Sequence, residues 1–235
     1  MNIPLFLLEK TDSTMNEIKK EKYSSYYNVA VIANTQTKGK GRRKNVWISS
    51  KGNLFLSLRL KNKIEKNHYL TAYMIGIVVY DTLKLYLKKN TNMIIKWPND
   101  ILINNKKVSG TLIEFLSSGN KITDVIIGIG INLLHSPFIL KNDATHLSKY
   151  CNFKFQSMEI IKDILLGVNY WIKILSNNKI IIKEWMKRST QINTTIKFYY
   201  NNKPCEGLYK GINKDGSIKV IMNNKECNFF NLDSI

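Results

Sequence analysis

The chain has 235 residues, 44% of them hydrophobic and 23% charged, which is enough to bury the core of one ordinary domain and a small additional module. Three scattered cysteines without a CxxC pair give no readable disulfide framework or zinc site, and no segment reads as a signal peptide or membrane span, so we expect a cytoplasmic protein with no membrane contact. Lys and Arg number 36 against 17 Asp and Glu, a formal net charge of +19, which indicates either anionic partners or a compositional bias towards Lys.

The first third of the chain alternates predicted strands with predicted helices. A short strand is expected within IPLFLLEK, and Thr14 followed three residues later by Glu17 has the spacing of a capping box at a helix start. Strands are predicted over Val29–Asn34 and Gly52–Leu60; in the second, alternating leucines indicate one apolar face. A long helix is predicted from about His68 to Lys89.

The middle of the chain reads as a further set of strands followed by helices. MIIKWPNDILINNKKVSGTLIEFL contains two β-rich runs around the turn sequence NNKK, which predicts a hairpin, and KITDVIIGIGINLL predicts another strand. A short helix is predicted in DATHLSKY and longer ones over Met158–Leu175 and Ile180–Lys187. Because these elements do not repeat as βαβ units, we predict an α+β fold with a mixed or antiparallel sheet packed by helices.

The sequence changes character from about Ser189. Short strands separated by turns follow one another to the end, and NKDG is a hairpin signal. We therefore predict two domains, residues 1–188 and a small C-terminal β-barrel over residues 189–235, which at this size needs support from a neighbour.

The segment GKGRRKNVW, from Gly39 to Trp47, combines glycines with four cationic side chains just after an apolar strand. Glycines let a ligand approach the backbone, and Lys and Arg donate to carboxylate or phosphate oxygens. The loop is thus a candidate cradle for a reacting anion. A polybasic nucleic-acid patch and a solvated turn are the alternatives.

Three further segments carry candidate groups, each with an ordinary structural explanation beside it. KWPND, from Lys96 to Asp100, places a cation and two polar side chains at a strand junction, although Trp97 within it is more typical of a core. Lys107 begins the return strand of the hairpin and is, by composition, more typical of a surface. Asn132 in GIGIN can bind a ligand or cap a turn.

In this order and at these intervals, GxGRR, KWPND, the hairpin lysine and GIGIN resemble the biotin protein ligases, from TDSTMNE near the start to the C-terminal tail. The resemblance implies a class II synthetase-like catalytic fold with an SH3-like β-barrel. It implies an enzyme that adenylates biotin with ATP to biotinyl-5'-AMP and transfers biotin to a lysine of a biotin carboxyl carrier domain of a carboxylase. Implied with it are Mg²⁺ accompanying ATP, no metal held by protein ligands, a monomer or weak homodimer, and no sequence-specific DNA binding.

The resemblance also implies a site, and its residues fall into three sets. The catalytic residues are Arg42, Lys107 and Asp100. Biotin is expected to contact Ser13, Thr14, Met15, Gln36, Gly39, Lys40, Gly41, Arg42, Lys107 and Gly110. ATP and the adenylate are expected to contact Arg42, Arg43, Trp47, Lys96, Asn99 and Asn132.

The loop departs from the family's usual GRGRRGR at three positions. Lys40 replaces the first Arg, and Lys44 and Asn45 replace the later Gly and Arg. Lys keeps the positive charge but lacks the bidentate fork of Arg, so we expect a less tightly ordered loop without loss of activity.

Two other functions remain open at this stage. A lipoate protein ligase shares the fold and the adenylate chemistry, but its expected RRxSGGG-type motif is missing here. A basic nucleic-acid-binding module needs aromatic side chains between its cations for base stacking, and the loop offers only Trp47. A degenerate ligase that binds biotin without turnover is a third possibility.

Overall fold

The computed structural model describes residues 3–42, 45–61, 70–137, 143–190, 192–201, 203–230 and 233–234. Within these ranges, no helix has both the length and the apolar character needed to cross a bilayer.

The centre of the molecule is a seven-stranded mixed sheet in the order β1-β2-β3-β7-β6-β5-β4. Its strands are β1 (Leu5–Thr11), β2 (Asn28–Gln36), β3 (Leu54–Lys61), β4 (Met93–Lys96), β5 (Asp100–Ile103), β6 (Lys106–Ser118) and β7 (Lys121–Ile131). Only the β1–β2 pair is parallel; the other described pairs are antiparallel. The predicted α+β class with a mixed sheet is confirmed.

Both faces of this sheet are covered. Helices α2 (Leu70–Lys84), α3 (Ser157–Trp171) and α4 (Asn178–Arg188) form one layer, in which α2 contacts the sheet and the other two helices. On the opposite face lie the short helix α1 (Thr14–Glu17) and a 3-10 helix (Glu21–Tyr23), which bury a second, smaller apolar cluster.

The prediction of one apolar face on β3 is confirmed, because its leucines belong to the core under α2. Successive residues point to opposite faces, and the other face, which carries Ser57 and Arg59, is buried as well. On the second face Ser57 Oγ donates to Thr14 Oγ1 at 2.8 Å, and the Arg59 guanidinium donates to the carbonyl of Tyr23. Polar side chains are tolerated there because α1 and the 3-10 helix supply their partners.

Helix α1 forms where the spacing predicted it, but without the capping box. The helix begins at Thr14 with Ser13 as N-cap, and no side chain caps it. Thr14 donates instead to Gln36 Oε1, while the buried carboxylate of Glu17 pairs with Lys20 and Lys22. Thr14 is therefore the first helical residue and not the N-cap, its hydroxyl is bonded to residues of other strands, and Glu17 pairs with nearby lysines.

The other predicted elements are present with shifted ends. Helix α2 ends at Lys84, not Lys89, and its predicted start lies among residues 62–69, outside the described residues. In DATHLSKY only Leu147–Tyr150 forms a 3-10 helix. The NNKK turn joins β5 to β6 with positive φ at Asn104 (49°) and Asn105 (61°), as a two-residue hairpin of type I′ requires.

The C-terminal segment forms a five-stranded antiparallel sheet in the order β11-β10-β9-β8-β12, consistent with the predicted SH3-like module. The strands are β8 (Thr195–Tyr200), β9 (Lys203–Ile212), β10 (Ile218–Met222), β11 (Lys225–Phe229) and β12 (Asp233–Ser234). Its buried side chains, Phe198, Tyr209, Ile218 and Val220, join the main core. The boundary between residues 188 and 189 stays a prediction.

A buried hydrogen-bond relay connects the two sheets. Tyr73 on α2 is 4% exposed; its hydroxyl donates to the Gly216 carbonyl at 2.5 Å and accepts from Trp97 Nε1 at 3.1 Å. The relay joins the β9–β10 turn to the KWPND turn through one side chain.

We expect Tyr73→Phe to lower the free energy of unfolding by about 1–3 kcal/mol, because it leaves a buried carbonyl and a buried indole N–H unpaired. Urea denaturation followed by circular dichroism measures this. Tyr170→Phe on α3, where the side chain is 60% exposed, is the matched control and should be nearly neutral. Equal stability of the two variants would contradict the relay.

Candidate active site

One cavity of about 470 Å³ opens beside the central sheet, between the glycine and arginine loop, the junction of β1 and α1, and strands β5 to β7. Most of the predicted site residues line it: Ser13, Thr14, Met15, Gln36, Lys40, Gly41, Arg42, Trp47, Asn99, Asp100, Lys107, Gly110 and Asn132. Segments up to about 120 residues apart in sequence therefore converge on one concave site.

The glycine and arginine loop folds back on itself as a tight turn. Lys40 and Val46 form an antiparallel bridge, Gly41 N donates to Asn45 O at 2.7 Å, and Trp47 N donates to Gly39 O at 3.0 Å. At its tip, Arg42 Nη1 donates to Asn99 Oδ1 at 3.5 Å. The loop thus places one guanidinium against the KWPND segment.

Two facing glycines receive the indole of Trp47. Gly110 on β6 and Gly130 on β7 are register partners. A Cβ at Gly130 would lie 2.5 Å from the indole, and one at Gly110 would lie 3.0 Å from it. Any larger side chain at Gly130 would displace the ring, so the glycine of GIGIN is required here for steric reasons.

Lys107 and Asp100 form an ion pair at the wall of the cavity. Lys107 Nζ lies 2.7 Å from Asp100 Oδ1 and 5.5 Å from the centroid of the Trp47 ring. The contact lacks the direction of a hydrogen bond, and Asp100 Oδ1 is otherwise buried without a partner. The side chains are 34% and 19% exposed, so a ligand can reach Lys107 and the part of Asp100 other than its buried Oδ1.

At the α1 end of the cavity, neutral polar groups are held in a fixed network. Gln36 Oε1 accepts from Thr14 N (2.8 Å) and Thr14 Oγ1 (3.0 Å), while Gln36 Nε2 donates to Ser49 Oγ at 3.0 Å. Ser13 Oγ is fully buried and has no hydrogen-bond partner. Ser13 is thus the group here that most needs a partner from a ligand.

Buried polar atoms without hydrogen-bond partners also occur at the opposite end of the cavity. Asn132 is 1% exposed; its Nδ2 donates to the Thr145 carbonyl at 3.1 Å, but its Oδ1 has no partner. Trp47 Nε1 is also buried and unpaired. One donor and one acceptor are therefore available where the resemblance implies the nucleotide.

Apolar side chains complete the wall beside Ser13. Met15 packs over Gly128, whose added Cβ would lie 2.6 Å from the Met15 sulfur. Leu56, Leu112 and Ile129 also line the cavity, and sequence reasoning did not single them out. They sit in strands of strong hydrophobic alternation, which identifies buried residues without showing which of them border a cavity.

Two of the predicted residues that the structure describes do not line this cavity. Gly39 closes the loop, since a Cβ there would lie 2.4 Å from the Trp47 carbonyl oxygen. Lys96 lines a separate cavity of about 390 Å³ between the hairpin and the C-terminal sheet, so its predicted nucleotide contact gains no support. Arg43 lies outside the described residues.

Among the residues that the structure describes, no cluster of three or more His, Cys, Asp or Glu side chains could hold a metal ion. Asp100 is the one carboxylate among the described residues lining the main cavity. These donors do not form a protein cage for a divalent cation, which needs several oxygen ligands.

Comparison with known proteins gives the same family from three directions. The sequence model of the biotin/lipoate A/B protein ligase family matches residues 7–132, more than half of the chain. The chain is 36% identical over 167 residues to the bifunctional ligase/repressor BirA of Bacillus subtilis, covering 68% of this chain and 50% of that protein. It is 35% identical over 135 residues to a biotin–[acetyl-CoA-carboxylase] ligase of Paracoccus denitrificans, covering 56% and 55%.

The chain thus spans about half the length of these curated relatives. Among solved structures, the biotin protein ligase of Aquifex aeolicus in complex with biotin and ATP superposes with a TM-score of 0.84 at 25% identity, covering 99% of each chain. Family match, relatives and fold agree, and the chain belongs to the biotin/lipoate A/B protein ligase family.

Proposed function

We propose that this chain is an ATP-dependent biotin protein ligase, which adenylates biotin to biotinyl-5'-AMP and transfers biotin to a lysine of a biotin carboxyl carrier domain. The observation that carries the proposal is the convergence of Arg42, from the loop, and Lys107, from the hairpin, on one cavity. The similar Aquifex structure is a complex with biotin and ATP.

The reaction explains why two cations from separate elements are needed. The carboxylate of biotin attacks the α-phosphate of ATP, and two negatively charged groups must approach each other. Fixed positive groups lower the free energy of that approach, most strongly where water is excluded. In this proposal Lys107 contacts the reacting oxygens, and Arg42 on the loop covers the adenylate and keeps the reactive anhydride from escaping.

The α1 end of the cavity suits the neutral head of biotin. A ureido group has both donors and an acceptor, which match hydroxyl and amide side chains. Ser13 Oγ is unpaired, whereas Thr14 and Gln36 already bond each other. We therefore assign the direct contact to Ser13 and a holding role to Thr14 and Gln36, with Met15 and the apolar wall packing on the ring system.

The opposite end would receive the nucleotide. Trp47 offers a ring face and an unpaired N–H, Asn132 an unpaired carbonyl oxygen, and Asn99 positions Arg42 through its side chain. Mg²⁺ is proposed as the companion of the ATP phosphates, because the described cavity residues include a single carboxylate.

Asp100 is proposed to act in the transfer step. Its Oδ1 is buried and lies 2.7 Å from the Lys107 ammonium, while part of the side chain remains exposed. The amine of the carrier lysine, approaching the exposed part of the carboxylate, would be oriented and would lose its proton there. The proposed partner is therefore a carrier domain that presents one exposed lysine.

The structure gives the nucleic-acid alternative no further support. Base stacking along a strand needs several accessible aromatic rings, whereas the loop offers only Trp47, one face of which lies against Gly110 and Gly130. A lipoate protein ligase shares this family and fold. Only the substrate that is transferred, biotin or lipoate, distinguishes the two functions.

Incubation with ATP, Mg²⁺ and a purified carrier domain, once with biotin and once with lipoate, tests the proposal by intact mass. We expect the mass of one biotin to be added to the carrier. Lipoate addition without biotin addition would establish the alternative, and ATP cleavage without any transfer would indicate a degenerate ligase.

Lys107→Ala should lower kcat/KM for biotin activation by at least about 100-fold, since it removes a fixed charge at the reacting oxygens. Biotin-dependent pyrophosphate release measures this. Lys106→Ala is the matched control: the neighbouring lysine lies outside the cavity lining and its side chain points to the other face of β6. A near-normal rate for Lys107→Ala would remove Lys107 from the site.

Arg42→Gly should still form the adenylate, though slowly, and should release it. Free biotinyl adenylate acylates lysines non-specifically, so we expect self-biotinylation and labelling of an added bystander protein to rise by about tenfold or more over wild type. An avidin blot measures both. Lys51→Gly, which removes an exposed cation from the turn before β3, is the control. Wild-type retention of the adenylate by Arg42→Gly would contradict the assigned role.

A further inference from the structure

Asn53, one residue before β3, makes an unusual set of hydrogen bonds. Its Oδ1 accepts from three consecutive backbone N–H groups, those of Leu133 (2.9 Å), Leu134 (3.1 Å) and His135 (3.2 Å). Its Nδ2 donates to the His135 carbonyl at 2.9 Å. The side chain is 7% exposed, and one amide therefore fixes the whole segment that leaves β7.

That segment is continuous with the nucleotide end of the cavity. Asn132 directly precedes it and lines the cavity, and Pro137 lies just beyond it in the same lining. The Leu133 carbonyl accepts from Ser148 N at 2.9 Å, and the Asn132 carbonyl accepts from Leu147 N at 2.9 Å. Holding residues 133–135 thus also holds the 3-10 helix that packs behind Asn132.

The hydrogen bonds continue from Asn132 to Lys107. Asn132 Nδ2 donates to the Thr145 carbonyl at 3.1 Å, and Thr145 N donates to the Lys107 carbonyl at 2.8 Å. Asn132 N also donates to the carbonyl of Val108 at 2.8 Å. Asn53 therefore anchors one end of a connected set of bonds that contains two predicted site residues.

We propose that Asn53 is a positioning residue for the adenylation site: it acts through segment 133–135 to fix Asn132 and Lys107, without touching the substrates. This inference rests on the proposed function and adds a residue to it. Asn132, at the nucleotide end, directly precedes the held segment, whereas Lys107 is reached only through its backbone carbonyl and Thr145. None of the bonds above involves a residue at the α1 end of the cavity, so the effect should fall on ATP more than on biotin.

Two substitutions distinguish the role of the acceptor oxygen of the Asn53 side chain from that of its donor nitrogen. Asn53→Ala removes both, leaving three N–H groups and a carbonyl to find other partners. Asn53→Asp keeps an oxygen that accepts from all three N–H groups, which stabilise its charge. It replaces the donor to His135 by a second acceptor oxygen, so that one bond is lost and becomes a repulsive contact. A positioning role requires that the second variant recover most of what the first one loses.

The chain contains a matched control in Asn28, at the start of β2. Asn28 is also buried (5% exposed), and its Oδ1 accepts from Lys61 N at 3.1 Å. It lies at the end of β2 away from Gln36, outside the cavity lining. Asn28→Ala thus reproduces the loss of a buried amide without touching the segment after β7.

The experiment measures biotin-dependent exchange of pyrophosphate into ATP, together with hydrogen exchange of the peptide spanning residues 133–135. For Asn53→Ala we expect KM for ATP to rise by about tenfold, KM for biotin to change by less than about twofold, and exchange of the peptide to accelerate by about tenfold. Asn53→Asp should stay within about threefold of wild type in both KM values and in the exchange rate of the peptide. Asn28→Ala should match wild type in the same three quantities.

Equal effects of Asn53→Ala and Asn28→Ala, or equal increases in both KM values, would overturn the inference in favour of a general stabilising role. If the wild type is active and these results are found, the proposed function stands and only the positioning role of Asn53 is rejected. A wild type without biotin-dependent exchange overturns the proposed function itself, and unchanged hydrogen exchange in Asn53→Ala then also overturns the anchoring of this wall.

Discussion

The contact between Trp47 and two facing glycines is the constraint on which the cavity depends. Gly110 and Gly130 are partners across β6 and β7 and leave room for an indole directly on the sheet. With the ring seated there, the loop before it turns back over the sheet and brings Arg42 to Asn99. Lys107, three residues before Gly110 on β6, reaches the same ring. Because Gly110 and Gly130 have no side chains, the glycine and arginine loop and the hairpin can place the charges of Arg42 and Lys107 in the same cavity.

The cavity divides its polar groups into those already paired and those left unpaired. Thr14, Gln36 and Ser49 bond one another, which fixes their positions before any ligand arrives. Ser13 Oγ, Asn132 Oδ1 and Trp47 Nε1 remain buried without partners. Leaving such groups unpaired costs free energy in the folded protein, and a ligand that pairs them recovers it. The unpaired groups lie at the two ends, so a ligand must be long and polar at both ends with an apolar or charged middle to satisfy them all.

Local patterns in the sequence predicted much of this, and long-range interactions account for the rest. Strand alternation and the NNKK turn identified the strands of the sheet, because these are properties of neighbouring residues. Most of the lining was predicted only from the family resemblance that the loop, KWPND and GIGIN carry together. The predicted capping box was wrong because Ser13, not Thr14, is the N-cap, and the Thr14 hydroxyl is bonded to Gln36 and Ser57 on other strands. Lys96 was assigned to the site with its neighbours in KWPND, yet it lines another cavity. Asn53 gave no local signal at all, since its partners lie about eighty residues away.

The KWPND turn divides one short segment between two environments. Trp97 is buried and donates to Tyr73, which in turn reaches Gly216 in the C-terminal sheet. Two residues later, Asn99 accepts from Arg42 and donates to the Thr111 carbonyl at 2.5 Å. A polar side chain can be held rigidly at a cavity only if the backbone beneath it is fixed. Here Trp97 fixes the backbone beside Asn99 by donating to Tyr73 of the helical layer. Tyr73 in turn donates to Gly216, in the turn between β9 and β10 of the C-terminal sheet. The second sheet therefore contributes to the geometry of the cavity although none of its side chains lies among the described lining residues.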